Sequence, residues 1–279
     1  MKKEDNLIKT IGISFLIISI LIVFLHTYPK DWRFSSIINE FYANVSSELF
    51  SISITILLID YLYEKKATQN TKHRLLRELG SEDRGFTSRA LKELKELGAL
   101  QDGSLIGLDL KGADLSNLDF SSANLANANF ENAILNGCNF SKCNLTKANF
   151  TSAELKNAVI EGAIFDKTNL SKANLYLARL SKSSIKNCDF ASANLQVSEL
   201  IEVEIDGSKL EDVNLTQANL TRTKIKNSKF LRCNFTSVNG MNLKYERCNL
   251  KDVIGIHTII NSDTTEFLAC ENVPQLNNN

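Results

Sequence analysis

The sequence predicts a mainly β chain in which a solenoid of short repeats is closed at one end by a helix and preceded by two apolar helices. Three observations carry this. Every fifth residue from Leu110 to Leu250 is Leu, Phe, Ile or Tyr at 28 of 29 positions, Gly240 being the exception. Two residues before each of these centres stands a mostly small residue, as in Ala123-Asn124-Leu125, Cys138-Asn139-Phe140 and Ala193-Asn194-Leu195. Two hydrophobic stretches, Ile11 to Leu25 and Phe41 to Tyr63, lie ahead of the repeat. A period of five fits neither an ordinary strand nor an amphipathic helix. A fixed self-similar period marks a solenoid whose units bury their apolar faces only against one another.

The first stretch, IGISFLIISILIVFL, reaches the roughly 20 residues of a bilayer helix once Leu7, Ile8 and a snorkelling Lys9 are included. A secretory signal peptide competes with that reading, but no small-x-small cleavage site follows. His26, Tyr28, Pro29, Lys30 and Trp32 read instead as an interfacial turn. The second stretch would span about 34 Å as a helix, enough to cross back. Ala43, Ser47, Ser51 and Thr55 recur every four residues along it, a small-residue ridge suited to close helix packing or an oligomer. Lys2, Lys3 and Lys9 precede the first span and Lys65, Lys66, Lys72, Arg74 and Arg77 follow the second, so the positive-inside rule sets both ends in the cytoplasm.

Glu48 and Asp60 interrupt the second span, and an ionisable group inside a membrane is by default a functional candidate. Asp60 lies within about a turn of Lys65 and reads as interfacial. Glu48 sits roughly 10 Å in from the outer end by helical rise. It either pairs with His26 or Lys30 as a structural contact or lines an aqueous path between protomers.

Residues 64–72 are polar and read as a short connector. Ser81 with Glu82 and Asp83 reads as a helix start, and Leu91, Leu94 and Leu97 repeat on one face. A helix over about 82–97 is expected to close the open end of the solenoid. After Leu250 the pattern fades at Val253-Ile254-Gly255, and residues 256–279 are expected to cover the last coil.

The repeat resembles the pentapeptide-repeat family, whose A-(D/N)-L-x-x units it reproduces almost to the letter in Ala113-Asp114-Leu115, Ala148-Asn149-Phe150 and Ala218-Asn219-Leu220. The resemblance implies a right-handed quadrilateral β-helix with one unit per side and a coil of twenty residues. Together with the N-terminal stretches it is similar to bacterial proteins that join a two-helix anchor to a cytosolic rod. That resemblance implies the cytoplasmic membrane as location, and an architecture rather than a chemistry. The expected domains are a transmembrane hairpin (1–66, spans about 7–26 and 41–63), a linker and capping helix (67–104), the β-helix (105–255) and a C-terminal cap (256–279).

A twenty-residue coil makes an independent prediction, because residues twenty apart should stack at about 4.8 Å. Asp166, Lys186, Asp206, Lys226 and Glu246 form a column of alternating sign. Lys182, Glu202 and Arg222 form a second, with Glu204 under Lys224 and Asp212 under Arg232 and Asp252. Such exposed pairs contribute about 0–1 kcal/mol each, so they set register more than they hold the fold.

Composition narrows the function. With 32 basic and 32 acidic residues the net charge is zero, and residues 101–260 carry 18 against 17. Some pentapeptide-repeat proteins protect topoisomerases by imitating DNA, which calls for a strongly acidic rod. A neutral one argues against that role and against nucleic-acid partners. Five of six cysteines, Cys138, Cys143, Cys188, Cys233 and Cys248, occupy the small position, and Cys270 lies outside the repeat. They read as free thiols in a reducing compartment, with no metal spacing. Three scattered histidines assemble no catalytic set, and no GxxxxGK, GxGxxG or HExxH motif occurs. The expectation is a non-enzyme without cofactors, integral to the membrane and open to homo-oligomers. Two functions remain, a scaffold for a cytosolic protein and a two-helix membrane effector of the defence or toxin type.

Overall fold

The computed structural model describes the backbone of residues 2–26, 35–260 and 264–274, and side chains within these at 9–23, 44–257, 259 and 264–274. The chain divides into two units, residues 1–71 and 72–279.

In the first unit, α1 (Lys2–His26) packs on the first part of α2 (Ser35–Leu79). The contact is close because Gly12 has no side chain, and a Cβ there would lie 3.1 Å from Ile56 and Leu57. The buried positions fall seven apart, Gly12 and Ser19 on α1, Ser46, Ser53 and Asp60 on α2. That is the spacing of a supercoiled seam. Ser19 and Ser53 donate to carbonyls of their own helices, at Leu16 and Leu49. The small-residue ridge expected at Ala43, Ser47, Ser51 and Thr55 is not this seam: Ser47, Ser51 and Thr55 are exposed, and the Ala43 side chain lies outside the described residues. Within the described residues Asn44–Leu79 is long and apolar enough to cross a membrane, and the described apolar part of α1, Lys9–Val23, is shorter.

The connector expected at residues 64–72, and with it the start of the 67–104 linker, is helix. Glu, Lys, Ala, Gln, Leu and Arg dominate residues 64–79, and no Gly or Pro intervenes before Gly80, so nothing stops α2 sooner. Its last turns belong to the solenoid unit and bury Leu75 and Leu79 completely. α3 (Arg84–Glu96) starts two residues later than expected, because Asp83 rather than Ser81 is the cap and accepts from the N–H groups of Gly85 and Phe86. It buries Thr87, Ala90, Leu91 and Leu94, while Leu97, placed by sequence on the same face, is left exposed at the C-cap. The Thr87 hydroxyl donates to the Asp114 carbonyl at 2.8 Å, which satisfies a backbone acceptor of the first coils.

The solenoid pairs each residue with the one twenty later, in parallel. One side is a six-stranded sheet, β1 (Ile164–Asp166), β2 (Ser184–Lys186), β3 (Glu204–Asp206), β5 (Lys224–Lys226), β7 (Lys244–Glu246) and β9 (Glu266–Leu268). A second side pairs β4 (Lys209–Glu211), β6 (Lys229–Leu231) and β8 (Asn249–Lys251), and elsewhere single bridges such as Asn129↔Asn149 continue the same register. Centres and small residues are buried, including Leu115, Phe120, Leu125 and Phe130 at 0 % exposure. Phe120 stacks on Phe140 and Phe130 on Phe150, while Phe140 meets Phe130 and Phe150 edge-on across the core.

Polar atoms inside and on the wall follow the same repeat. Several polar side chains at the small position donate to the carbonyl 23 residues earlier, as Cys138 to Leu115, Thr168 to Leu145 and Ser183 to Ile160, whereas Ser198, Ser208 and Ser228 donate to nearby carbonyls at Leu195, Asp206 and Lys226. An Asn before a centre can do two things. Asn149 accepts from the Thr151 N–H through Oδ1 and donates through Nδ2 to Asn129, which in turn donates to Asp109. Among the described residues the Tyr245 hydroxyl is buried without a hydrogen-bond partner, and burial pushes its ionisation well up. Tyr245→Phe is therefore expected to stabilise the fold by about 1 kcal/mol, read as a rise in thermal midpoint.

Each corner places the residue two after the centre in the left-handed region. Asn117, Asn127 and Asn132 suit it, but Val197 also sits there with φ 59°. A β-branched residue is disfavoured in that conformation by about 1–2 kcal/mol. Val197→Asn is expected to recover about 1 kcal/mol of stability, again measured by thermal unfolding.

At the C-terminal end the register steps by 22 instead of twenty: Lys244 pairs Glu266 and Tyr245 pairs Phe267. The extra residues make room for α4 (His257–Ile260), which buries Ile259 at 1 % exposure. Ile259 fills the space left by Gly240, where a Cβ would lie 2.6 Å from its Cγ2. Cys270, expected outside the repeat, occupies the small position of this last coil, because the adjoining Glu271 pairs with Asn249.

Candidate functional surfaces

The two residues singled out in the second apolar stretch face opposite ways. Asp60 is 8 % exposed and part of the seam with α1, whereas Glu48 is exposed. Twelve residues of helix separate them by roughly 18 Å, so they form no joint site. The partners weighed for Glu48, His26 and Lys30, lie outside the described side chains. Asn44, Glu48, Ser51 and Thr55 share the side of α2 turned away from Ser53, a polar stripe on an otherwise apolar segment. The seven-residue spacing of Ser46, Ser53 and Asp60 was the available signal for the true seam. The four-residue ridge competed with it. A hollow of 350 Å³ lined by Ser19, Ile20, Val23, Ser46, Ser47 and Phe50 lies along this unit.

On the solenoid the charge columns stack as expected, Asp166↔Lys186↔Asp206↔Lys226↔Glu246 in unbroken register. Not every rung closes an ion pair. Lys226 reaches Glu246 at 3.1 Å, but Asp166 and Asp206 accept instead from Asn187 and Asn227. Arg222 reaches Glu202 at 3.0 Å, and Arg232 grips Asp212 at 2.7 Å while also reaching Glu211. The Arg232 guanidinium holds both carboxyls below their usual range. Lys111 and Glu131, 2.8 Å apart, obey the same twenty-residue rule outside the columns named from the sequence.

The acidic rung Glu204/Asp206 and the basic rung Lys224/Lys226 meet on the six-stranded side. One hollow of 250 Å³ is lined by Lys186, Glu204, Asp206, Lys224 and Lys226; a second of 240 Å³ shares the last two with Lys244 and Glu246. An open cleft of 710 Å³ at the other end is bounded by His73, Leu76, Arg77, Leu108 and Asp109. Burial pushes the thiols of Cys138, Cys143 and Cys233 up to about 12, which leaves them unreactive packing groups. Among the described residues no group of His, Cys, Asp and Glu is arranged to hold a metal ion.

These rungs and hollows lie on the wall of a β-solenoid. The models of the pentapeptide repeat region and of pentapeptide repeats match residues 133–210 and residues 100–130 and 198–236 respectively, and the chain belongs to the pentapeptide-repeat family through this region. Among solved structures it is similar to HetL, a pentapeptide-repeat protein involved in heterocyst differentiation regulation in the cyanobacterium Nostoc sp. strain PCC 7120. The identity is 16 %, over 65 % of this chain and 93 % of that one, with a TM-score of 0.31. It is also similar to full-length QnrB1, a plasmid-mediated fluoroquinolone resistance protein, at 16 % identity over 60 % and 85 % of the two chains and a TM-score of 0.31. Rfr23 of the cyanobacterium Cyanothece 51142 is 23 % identical over 48 % and 88 %, with a TM-score of 0.30. No curated protein matches the chain.

Proposed function

We propose that this protein is a membrane-anchored, non-enzymatic scaffold: its N-terminal helices form a two-span hairpin in a bacterial inner membrane, and its solenoid docks a protein partner on the cytosolic side. The observation that carries it is the junction of acidic and basic rungs at Glu204, Asp206, Lys224 and Lys226, where two hollows lie on a wall held by regular hydrogen bonds. A partner of matching charge would find its counter-charges already positioned, which favours specificity and association rate. Family members are in general structural or interaction scaffolds. The lysines and arginines beside the apolar segments support the orientation, with both termini cytoplasmic.

Two measurements test this reading. The protein should stay in the membrane pellet after an alkaline carbonate wash; release would reject the anchor. A photo-crosslinking residue at position 224 should capture a discrete partner in intact cells, one at Lys156 should not, and Lys186→Glu with Lys226→Glu should abolish capture. Equal capture from both positions would reject the docking face.

The polar stripe of Asn44, Glu48, Ser51 and Thr55 favours a second reading, a two-helix effector that assembles in the membrane around that stripe. If so, the intact protein depolarises expressing cells, whereas Glu48→Ala and residues 68–279 alone do not. Depolarisation by neither the intact protein nor the variants leaves the scaffold as the reading.

A further inference from the structure

Cys248 and Cys270 stack in one inward column, one coil apart. Asn249 and Glu271 pair directly, the Glu271 N–H donates to the Cys248 carbonyl at 2.8 Å, and the Leu250 N–H donates to the Glu271 carbonyl at 3.1 Å. Residues so placed on parallel strands lie about 4.8 Å apart. That is inside the Cα range a disulfide spans, about 4.4–6.8 Å. Cys270 lies close enough to Cys248 to help push its thiol ionisation up, while the two thiols donate to backbone carbonyls two residues earlier, at Glu246 and Leu268. No other cysteine in the solenoid has this arrangement. Twenty residues after Cys138, Cys143, Cys188 and Cys233 come Ala158, Ala163, Ser208 and Val253. The two thiols differ in access, Cys248 being 1 % exposed and Cys270 partly exposed.

We propose that Cys248 and Cys270 are an oxidisable pair that closes a disulfide in response to a hydroperoxide, fastening the last coil to the one before it. The Cys270 sulfur attacks the peroxide; an S–O bond forms, the O–O bond breaks, and the released oxygen leaves with the thiol proton as water or an alcohol. The Cys248 sulfur then displaces the sulfenic hydroxyl, and its own proton leaves with that oxygen as water. The two thiols together lose two electrons and two protons, and the peroxide is reduced. Reaction begins at Cys270 because the oxidant reaches it, while burial holds the Cys248 thiol up near 11 and keeps it protonated until its neighbour is activated. The fastening matters at this place because the last coil carries the insertion and the register step of 22.

The test uses the full chain in detergent, treated with hydrogen peroxide, digested with trypsin without reductant and analysed by mass spectrometry. Trypsin cuts after Arg247 and Lys251 and finds no further site, so the cross-link joins peptide 248–251 to peptide 252–279. The wild type is expected to lose two of its six thiols, yield that cross-linked pair and regain both thiols on reduction. Cys233→Ser should behave as the wild type. Cys248→Ser should give no cross-link and leave Cys270 as a sulfenic acid trapped by dimedone. Serine is tolerated in this column, since Ser208 and Ser228 occupy it in the two coils before. Three results would overturn the proposal: all six thiols unchanged, Cys270 oxidised beyond sulfenic acid with Cys248 still free, or Cys270 linked to a second chain.

Discussion

Phe140→Ala is expected to lower the stability of the solenoid by about 4 kcal/mol. The ring is fully buried, stacks on Phe120 at 5.3 Å and meets Phe130 and Phe150 edge-on at 5.8 and 6.0 Å. Its removal leaves a hole that a wall of parallel hydrogen bonds cannot collapse to fill. Each coil touches only its neighbours, so the loss also weakens the coupling between the coils on either side. Urea unfolding followed by circular dichroism should show an earlier and broader transition. Phe140→Leu should cost less than about 1.5 kcal/mol, because Leu is the usual centre and keeps most of the volume. Equal losses for both variants would mean that ring geometry, not volume, governs this layer.

Gly240→Leu restores the repeat at its single broken position and is nonetheless expected to destabilise by about 3 kcal/mol. The space is already taken by Ile259, whose Cγ2 would lie 2.6 Å from the new Cβ, and Leu243 closes in at 3.2 Å. The double variant Gly240→Leu, Ile259→Ala should recover at least half of the loss, since the new side chain then occupies the vacated volume. Stabilisation by the single variant would show that α4 can leave the core without cost.

The sequence carried the wall of this structure well and its ends poorly. A five-residue period with no slip across residues 110–235 leaves one way to bury the centres, and the charge columns agree with the twenty-residue coil that the family resemblance implies. The columns did not reveal which rungs close. Asn187 and Asn227 compete for Asp166 and Asp206, and side-chain reach decides the outcome. Past Leu250 the phase is lost because two residues are inserted, and Phe267 and Cys270 rejoin the pattern only once the step of 22 is known. At the other end the polar composition of residues 64–72 suggested a connector. Polarity marks exposure, not loop, and helix-forming residues carried α2 through it. Of the two ionisable candidates, the face each occupies followed from a seven-residue spacing that a competing four-residue spacing obscured.

The asparagine ladders have a direction. From Asp109 through Asn129 to Asn149 the later residue donates and the earlier one accepts, whereas in the last coil the direction turns and Asn249 donates to Glu271. In the first coils each new turn brings donors to side-chain acceptors already laid down, and α3 supplies the first surface on which to wind. Backbone bonds run both ways between coils, the Leu110 N–H donating to the Asn129 carbonyl and the Asn129 N–H to the Leu108 carbonyl. Each coil is therefore completed only when the next has been translated, and winding can follow synthesis from the N-terminus one coil behind.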